Sequence, residues 1–219
     1  MDKHTKLSFV WIILALMTIC VTSFGISKNI KTRTSIVRQE RASSQQLKDS
    51  KAAYLQKKNI VNKAVINQSL NSNNDVLKSV AEQNVNNKTI NQVAKQFFTT
   101  YYTWSDYKSY MDRANKLQNI ITPELKNNKS IFDDGKDSTG GNYLKNTGIQ
   151  SEFDSSVAYL SQSSDSTAQA LVKVVNTSWY AGQRNNSGQS TRYYDLTYNL
   201  KTHKISDLKQ VLIQKDGDD

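Results

Sequence analysis

The chain has 219 residues, 37% of them hydrophobic, and its 29 Lys and Arg against 19 Asp and Glu leave a formal net charge of +10. That is room for one globular domain plus an appendage. Two histidines (His4, His203) and one cysteine (Cys20) exclude histidine triads, paired-His metal sites, disulfide frameworks and cysteine-ligated zinc or iron-sulfur centres built within one chain.

Leu7 to Phe24 reads LSFVWIILALMTICVTSF, eighteen residues without a charge, and Gly25-Ile26 extend the run. At about 1.5 Å per residue, twenty residues match a hydrocarbon core of about 30 Å. A cleaved signal peptide is the competing reading, with Ser23-Phe24-Gly25 at the cleavage site, but the apolar run exceeds the usual ~7 to 15 residue core of such peptides. The expectation is a transmembrane anchor over 7–26 behind a cytoplasmic head of residues 1–6. Lys28, Lys31, Arg33, Arg38 and Arg41 follow the span, and flanking charge alone would hold the long segment inside. Long hydrophilic domains translocate despite such charge, and the carboxyl-terminal domain is expected outside the cell.

Residues 26–66 carry ten Lys and Arg against two Asp and Glu, a surplus of +8, whereas residues 67–219 carry seventeen against sixteen. The excess positive charge therefore sits beside the membrane, where it suits anionic lipid, wall polymer or nucleic acid, or simply a solvated helix. Leu47, Tyr54 and Val61 recur at sevens, but Ser50 and Lys57 occupy the other seam position, so a coiled coil is poorly supported. Residues 27–87 read as a basic spacer, largely helical or flexible, with a break in Asn67–Asn74 (NQSLNSNN).

Thr89-Ile90-Asn91-Gln92 fits a capping box, and Ile90, Val93, Ala94, Phe97, Phe98 and Tyr101 follow on one helical face. Asp106 caps a second predicted helix with the stripe Tyr107, Tyr110, Met111, Ala114, Leu117, Ile121, and Thr122-Pro123 ends it or starts a short turn through Leu125. After a polar loop from Lys126 to Gln150, Phe153, Ser155, Val157 and Tyr159 alternate with Asp154, Ser156 and Ala158. Ala170, Val172 and Val174 open a longer strand running through Trp179 and Tyr180, and Arg184–Gly188 is a hairpin loop by composition. Tyr194, Leu196, Tyr198 and Leu200 form a third strand face, and Ile205–Ile213 a fourth strand. Helices followed by four antiparallel strands make an α+β domain over residues 88–214, with an acidic tail at 215–219.

Phe97-Phe98-Thr99-Thr100-Tyr101-Tyr102-Thr103-Trp104, then Arg113, Leu117 and Ile121-Thr122-Pro123-Glu124-Leu125, resembles the opening of nuclear transport factor 2-like domains. With one amino-terminal span, the chain is similar to the bitopic assembly component of type IV secretion systems, the eighth VirB protein, in the form carried by Gram-positive conjugative elements. The resemblance covers roughly residues 88–214 plus the anchor. It implies helices packed on a curved antiparallel sheet of about four strands, forming a cone. It also implies a scaffold that binds other channel proteins and its own copies, as dimer or trimer, during DNA transfer.

No catalytic, cofactor-binding or metal-ligating residue is assigned, and no enzyme activity or cofactor is expected. Asp133-Asp134-Gly135-Lys136-Asp137 lacks the ligand spacing of a calcium loop and reads as a solvated turn. Glu152 and Asp154 share a strand face as an acid pair, with ordinary exposed carboxylates the plainer reading. Trp179, Tyr180, Tyr193, Tyr194 and Tyr198 could stack bases beside Arg184 and Arg192, but alternate members are better placed as core, because the domain is nearly neutral. Two further functions compete with the scaffold: nucleic-acid binding through residues 26–66, and a small ligand-binding cone.

Overall fold

In the computed structural model the described residues are 3–215 for the backbone and 33–214 for the side chains. The expected anchor at 7–26 lies outside the residues whose side chains are described, as does the acidic tail. Among the described residues no helix is long and apolar enough to cross a membrane. The chain divides into two units, Met1–Val65 and Ile66–Asp219.

Helix α1 spans Lys3–Leu70. From Arg33 to Val65 all its side chains are exposed, including Leu47, Tyr54 and Val61, as expected of a segment whose apolar residues do not make a continuous seam. Residues 71–74 interrupt the helix, within the expected Asn-rich break, where the Asn71 amide turns back to the Asn67 carbonyl.

Helix α2 spans Asp75–Tyr102, and its amino-terminal cap is Asn74, whose side chain accepts from the amides of Val76 and Leu77. The expected start at Thr89 is therefore displaced by some four turns. Thr89 lies inside α2 and its hydroxyl donates to the Val85 carbonyl; a Thr-x-x-Gln run caps a helix only where the preceding backbone leaves helical geometry. The stripe itself holds, with Ile90, Ala94, Phe97, Phe98 and Tyr101 buried and Val93 packed beside them.

Asp106 and Ser109 close a capping box, but the expected single second helix is two, α3 (Tyr107–Met111) and α4 (Arg113–Leu117), interrupted at Asp112. Pro123 opens the short α5 (Pro123–Lys126), capped by Thr122. Helix α6 (Tyr143–Thr147) precedes the sheet and ends at Gly148, whose φ of 61° suits glycine.

Strands β1 (Ile149–Ser163), β2 (Thr167–Tyr180), β3 (Gly188–Asn199) and β4 (Lys204–Lys215) form one antiparallel sheet in the order β1-β2-β3-β4. Both edge strands slip register twice: β1 between Phe153 and Ser155 and between Leu160 and Gln162, β4 opposite Tyr193/Tyr194 and Thr197/Tyr198. Such bulges bend a sheet. The one at Asp154 also corrects the expected face of β1. Phe153 packs on the core, but beyond the bulge Ala158 and Leu160 turn inward while Val157 and Tyr159 are 46% and 56% exposed. The inner face of β2 and β3 is as expected, with Ala170, Val172, Val174, Tyr194, Leu196 and Tyr198 buried against α2 and Leu117, Ile121 and Leu125. Removal of these apolar side chains from water is the main term holding the domain together.

Candidate binding site

The aromatic run that ends α2 decides where the molecule stays open. Phe97 and Phe98 meet edge to face, with centroids 5.0 Å apart, and Phe98 lies 4.9 Å from Tyr194 of β3. One turn further on, Tyr101 and Tyr102 carry hydroxyls that a purely apolar core would strand. The Tyr101 hydroxyl donates to the Ile131 carbonyl at 2.7 Å, and the Tyr102 and Tyr194 hydroxyls bond to one another. Tyr194 in turn donates to Gln210 Oε1 at 3.1 Å.

Beyond this polar seam lies a cavity of about 370 Å³. Its walls come from the end of α2, Trp104, Tyr110, Arg113, the 130–137 loop, the start of α6 and one residue or more from each strand. Arg113, at the start of α4, is only 4% exposed. Its Nε donates to the Tyr110 carbonyl at 2.8 Å and its Nη1 to the Tyr101 carbonyl at 3.4 Å. Its guanidinium carbon lies 3.4 Å from the Tyr110 ring centroid and 4.6 Å from that of Tyr101, an arrangement in which aromatic faces partly replace water around the cation. No ion pair among the described residues involves it. Across the cavity Arg192 of β3 reaches Gln210 Oε1 at 3.5 Å, and its Nε and the Trp104 indole Nε1 are both buried without a partner.

Burial, more than any neighbouring charge, raises the pKa of these tyrosines. Tyr102 is pushed up to about 12, and Tyr101, Tyr110 and Tyr194 are also raised, burial being the leading cause in each. At neutral pH the hydroxyls are protonated and serve as hydrogen-bond donors and acceptors. On the β2 side, the buried Asn176 amide donates to the hydroxyls of Ser151 and Ser178 and its carbonyl accepts from Ser190. The cavity presents guanidinium, indole and hydroxyl donors around aromatic walls.

The candidates raised by sequence fall elsewhere or at the rim. Asp133 accepts from the Tyr110 hydroxyl and the Gly135 amide, Asp134 from the Lys136 amide, and Asp137 from Thr139 and Gly141, so each carboxylate closes a turn. Among the described residues no group of three His, Cys, Asp or Glu is placed to hold a metal. Glu152 pairs with Arg184, whereas Asp154, at the bulge, accepts from Thr177 and Gln189; the two do not act as a pair. The proposed stacking platform is split. Tyr194 and Tyr198 are core, Tyr180 is exposed, and Trp179 carries the Arg184 guanidinium 4.4 Å from its ring while bonding to Gln150. In the sequence Arg113 stands out only through the resemblance. Its place three residues after Tyr110 and four before Leu117, on the buried side of a helical stripe, is the signal that marks it as buried.

No family model matches the chain, and no curated protein matches it. Among solved structures it is similar to the NMR solution structure of TraH from the Gram-positive conjugative plasmid pIP501. The identity is 15% and the TM-score 0.42, over 60% of this chain and 96% of that one. It is also similar to a periplasmic fragment of TraM, with 12% identity and a TM-score of 0.33, over 56% of this chain and 95% of that one.

Proposed function

We propose that this chain is a non-catalytic assembly component of a conjugative type IV secretion channel. Residues 7–26 hold it in the membrane, the carboxyl-terminal domain stands outside the cell, and that domain acts through contacts with other channel proteins and its own copies. In this reading α2 and the bulged sheet are the helix and curved sheet of a nuclear transport factor 2-like cone, as the residues from Phe97 to Leu125 suggest by resemblance. The observation that carries it is the outer face of the sheet. Register places Tyr159 beside Leu171, and Val157, Lys173, Tyr193 and Leu212 in one row across all four strands. Val157, Tyr159, Leu171 and Leu212 are 46%, 56%, 38% and 56% exposed. Exposed apolar side chains on one sheet face, set among the charges of Lys173 and Asp195, suit a protein contact, and tethering copies to one membrane raises their effective concentration, so weak contacts suffice.

The test is deletion of the gene and complementation. Full-length protein should restore DNA transfer; residues 27–219 exported without the anchor, and a full-length Tyr159→Asp/Leu171→Asp variant, should not. Normal transfer in the deletion strain would sink the reading. A second reading, nucleic-acid binding, is favoured by the exposed basic residues along α1, among them Arg38, Arg41, Lys48 and Lys51. Mobility shifts with a steep salt dependence would support it.

A further inference from the structure

We infer that the cavity at the end of α2 is a binding site for a small organic carboxylate, its anionic end met by Arg113 and Arg192 and its body lying against the tyrosine walls. The cavity carries a surplus of donors. A guanidinium as buried as Arg113 is costly to desolvate unless an anion answers it, yet its partners are two neutral backbone carbonyls and two tyrosine ring faces. Arg192 Nε and Trp104 Nε1 are buried donors without acceptors, and both residues line the same cavity. Buried polar groups are ordinarily satisfied, so two orphaned donors lining one cavity call for an acceptor from outside the chain.

The chain does not supply that acceptor. Asp133 and Asp137, the exposed carboxylates of the cavity wall, accept from Tyr110 and Gly135 and from Thr139 and Gly141 rather than from Arg113, Arg192 or Trp104. Gln210 Oε1 already accepts from Tyr194 and Arg192. The missing group is thus an acceptor with negative charge, and a carboxylate matches a guanidinium fork. A volume of about 370 Å³ is far larger than an inorganic ion and falls in the range of small-molecule pockets. Tyr143, which is exposed, and Leu144 line the same cavity and offer surface to a flat or apolar remainder. The Asp133 and Asp137 charges at the wall disfavour a polyanion such as nucleic acid.

The inference does not rest on the channel reading, which the transfer assay tests separately. Full-length protein in detergent micelles, labelled with ¹⁵N, would be titrated with benzoate, with benzamide as the neutral isostere and with inorganic phosphate. The indole N–H of Trp104, assigned by Trp104→Phe, is the reporter. Benzoate should shift that resonance saturably, at about millimolar concentration or tighter, and benzamide and phosphate roughly tenfold or more weakly. Arg192→Gln, with an unchanged unfolding midpoint, should weaken benzoate by roughly tenfold or more. Arg113→Lys, which keeps the charge and loses the fork, should weaken it as well. The proposal is overturned if benzoate leaves Trp104 unmoved, if benzamide or phosphate binds as well as benzoate, or if a folded Arg192→Gln protein binds benzoate as the wild type does.

Discussion

Asn91 and Ala158 are joined by two reciprocal hydrogen bonds: the Asn91 Nδ2 donates to the Ala158 carbonyl at 2.9 Å, and the Ala158 N–H donates to Asn91 Oδ1 at 2.9 Å. Ala158 lies in β1, an edge strand, and its outward backbone groups would otherwise offer a template for another chain. The side chain of Asn91 takes the place of a neighbouring strand. The same edge is covered at Ser151 by backbone bonds to Trp104 in both directions and at Phe153 by the Thr103 hydroxyl, and near its end the Asn86 side chain donates to the Ser163 hydroxyl.

Asn91→Ala therefore leaves a donor and an acceptor of Ala158 unpaired beside the core. The expected loss is about 1 to 3 kcal/mol, read as a lowered urea midpoint with an unchanged slope. An unchanged midpoint would show that water satisfies Ala158 equally well.

The position of the cap at Asn74 predicts where the domain can be cut. Residues 66–219 should fold alone, giving a mixed α/β circular dichroism spectrum and one cooperative thermal transition. Residues 88–219 should melt lower, because that cut removes the Asn74 cap, the buried Ala81 and the Asn86 bond to Ser163. Equal midpoints for the two fragments would contradict the part assigned to the first turns of α2.

The α+β class, the four strands and most of the inner face were legible in the sequence because they rest on periodicity, which a single chain displays directly. Phe97, Phe98, Tyr194 and Leu196 are examples. What escaped depends on contacts between distant residues or on one local irregularity. The bulge at Asp154 reverses the parity of β1, so Val157 faces solvent although its alternation with Ala158 is regular. Thr89 offered a valid cap pattern, but Asn74 intercepts the helix start earlier. The cavity was invisible because its lining is drawn from α2, α4, a loop and four strands, and although the place of Arg113 in the helical stripe signals burial, its charge argues the opposite.

Gly135 provides a local test of the loop that walls the cavity. It has φ of +67°, and a Cβ added there would lie 2.5 Å from Leu144 Cδ1 and 3.2 Å from Leu144 Cγ. Gly135→Ala must therefore strain the backbone and displace a buried leucine of α6. The expected cost is about 1 to 3 kcal/mol, with changed amide shifts at Tyr110 and Leu144. Wild-type stability in the alanine variant would show that the 133–137 turn adopts another conformation.

The Tyr102–Tyr194 pair predicts how stability responds to alkali. Burial raises the Tyr102 ionisation to about 12 and raises that of Tyr194 as well, whereas an unfolded tyrosine ionises near 10. Between those values the unfolded chain has released protons that the native state still binds, so unfolding becomes easier as pH rises. The stabilising contribution is intact below about pH 10 and is lost as pH climbs toward 12, at about 1.4 kcal/mol per pH unit for each hydroxyl that stays protonated. Residues 66–219 should show a urea midpoint that is flat from pH 7 to 9 and falls steeply above 10. Tyr102→Phe removes one of the titrating groups and should flatten that fall, while leaving the Tyr194 hydroxyl its bond to Gln210. Absorbance at 295 nm would follow the ionisation directly, with a late phase in the wild type reduced in the variant. An identical alkaline slope in both proteins would mean that the buried hydroxyl pair does not couple to folding.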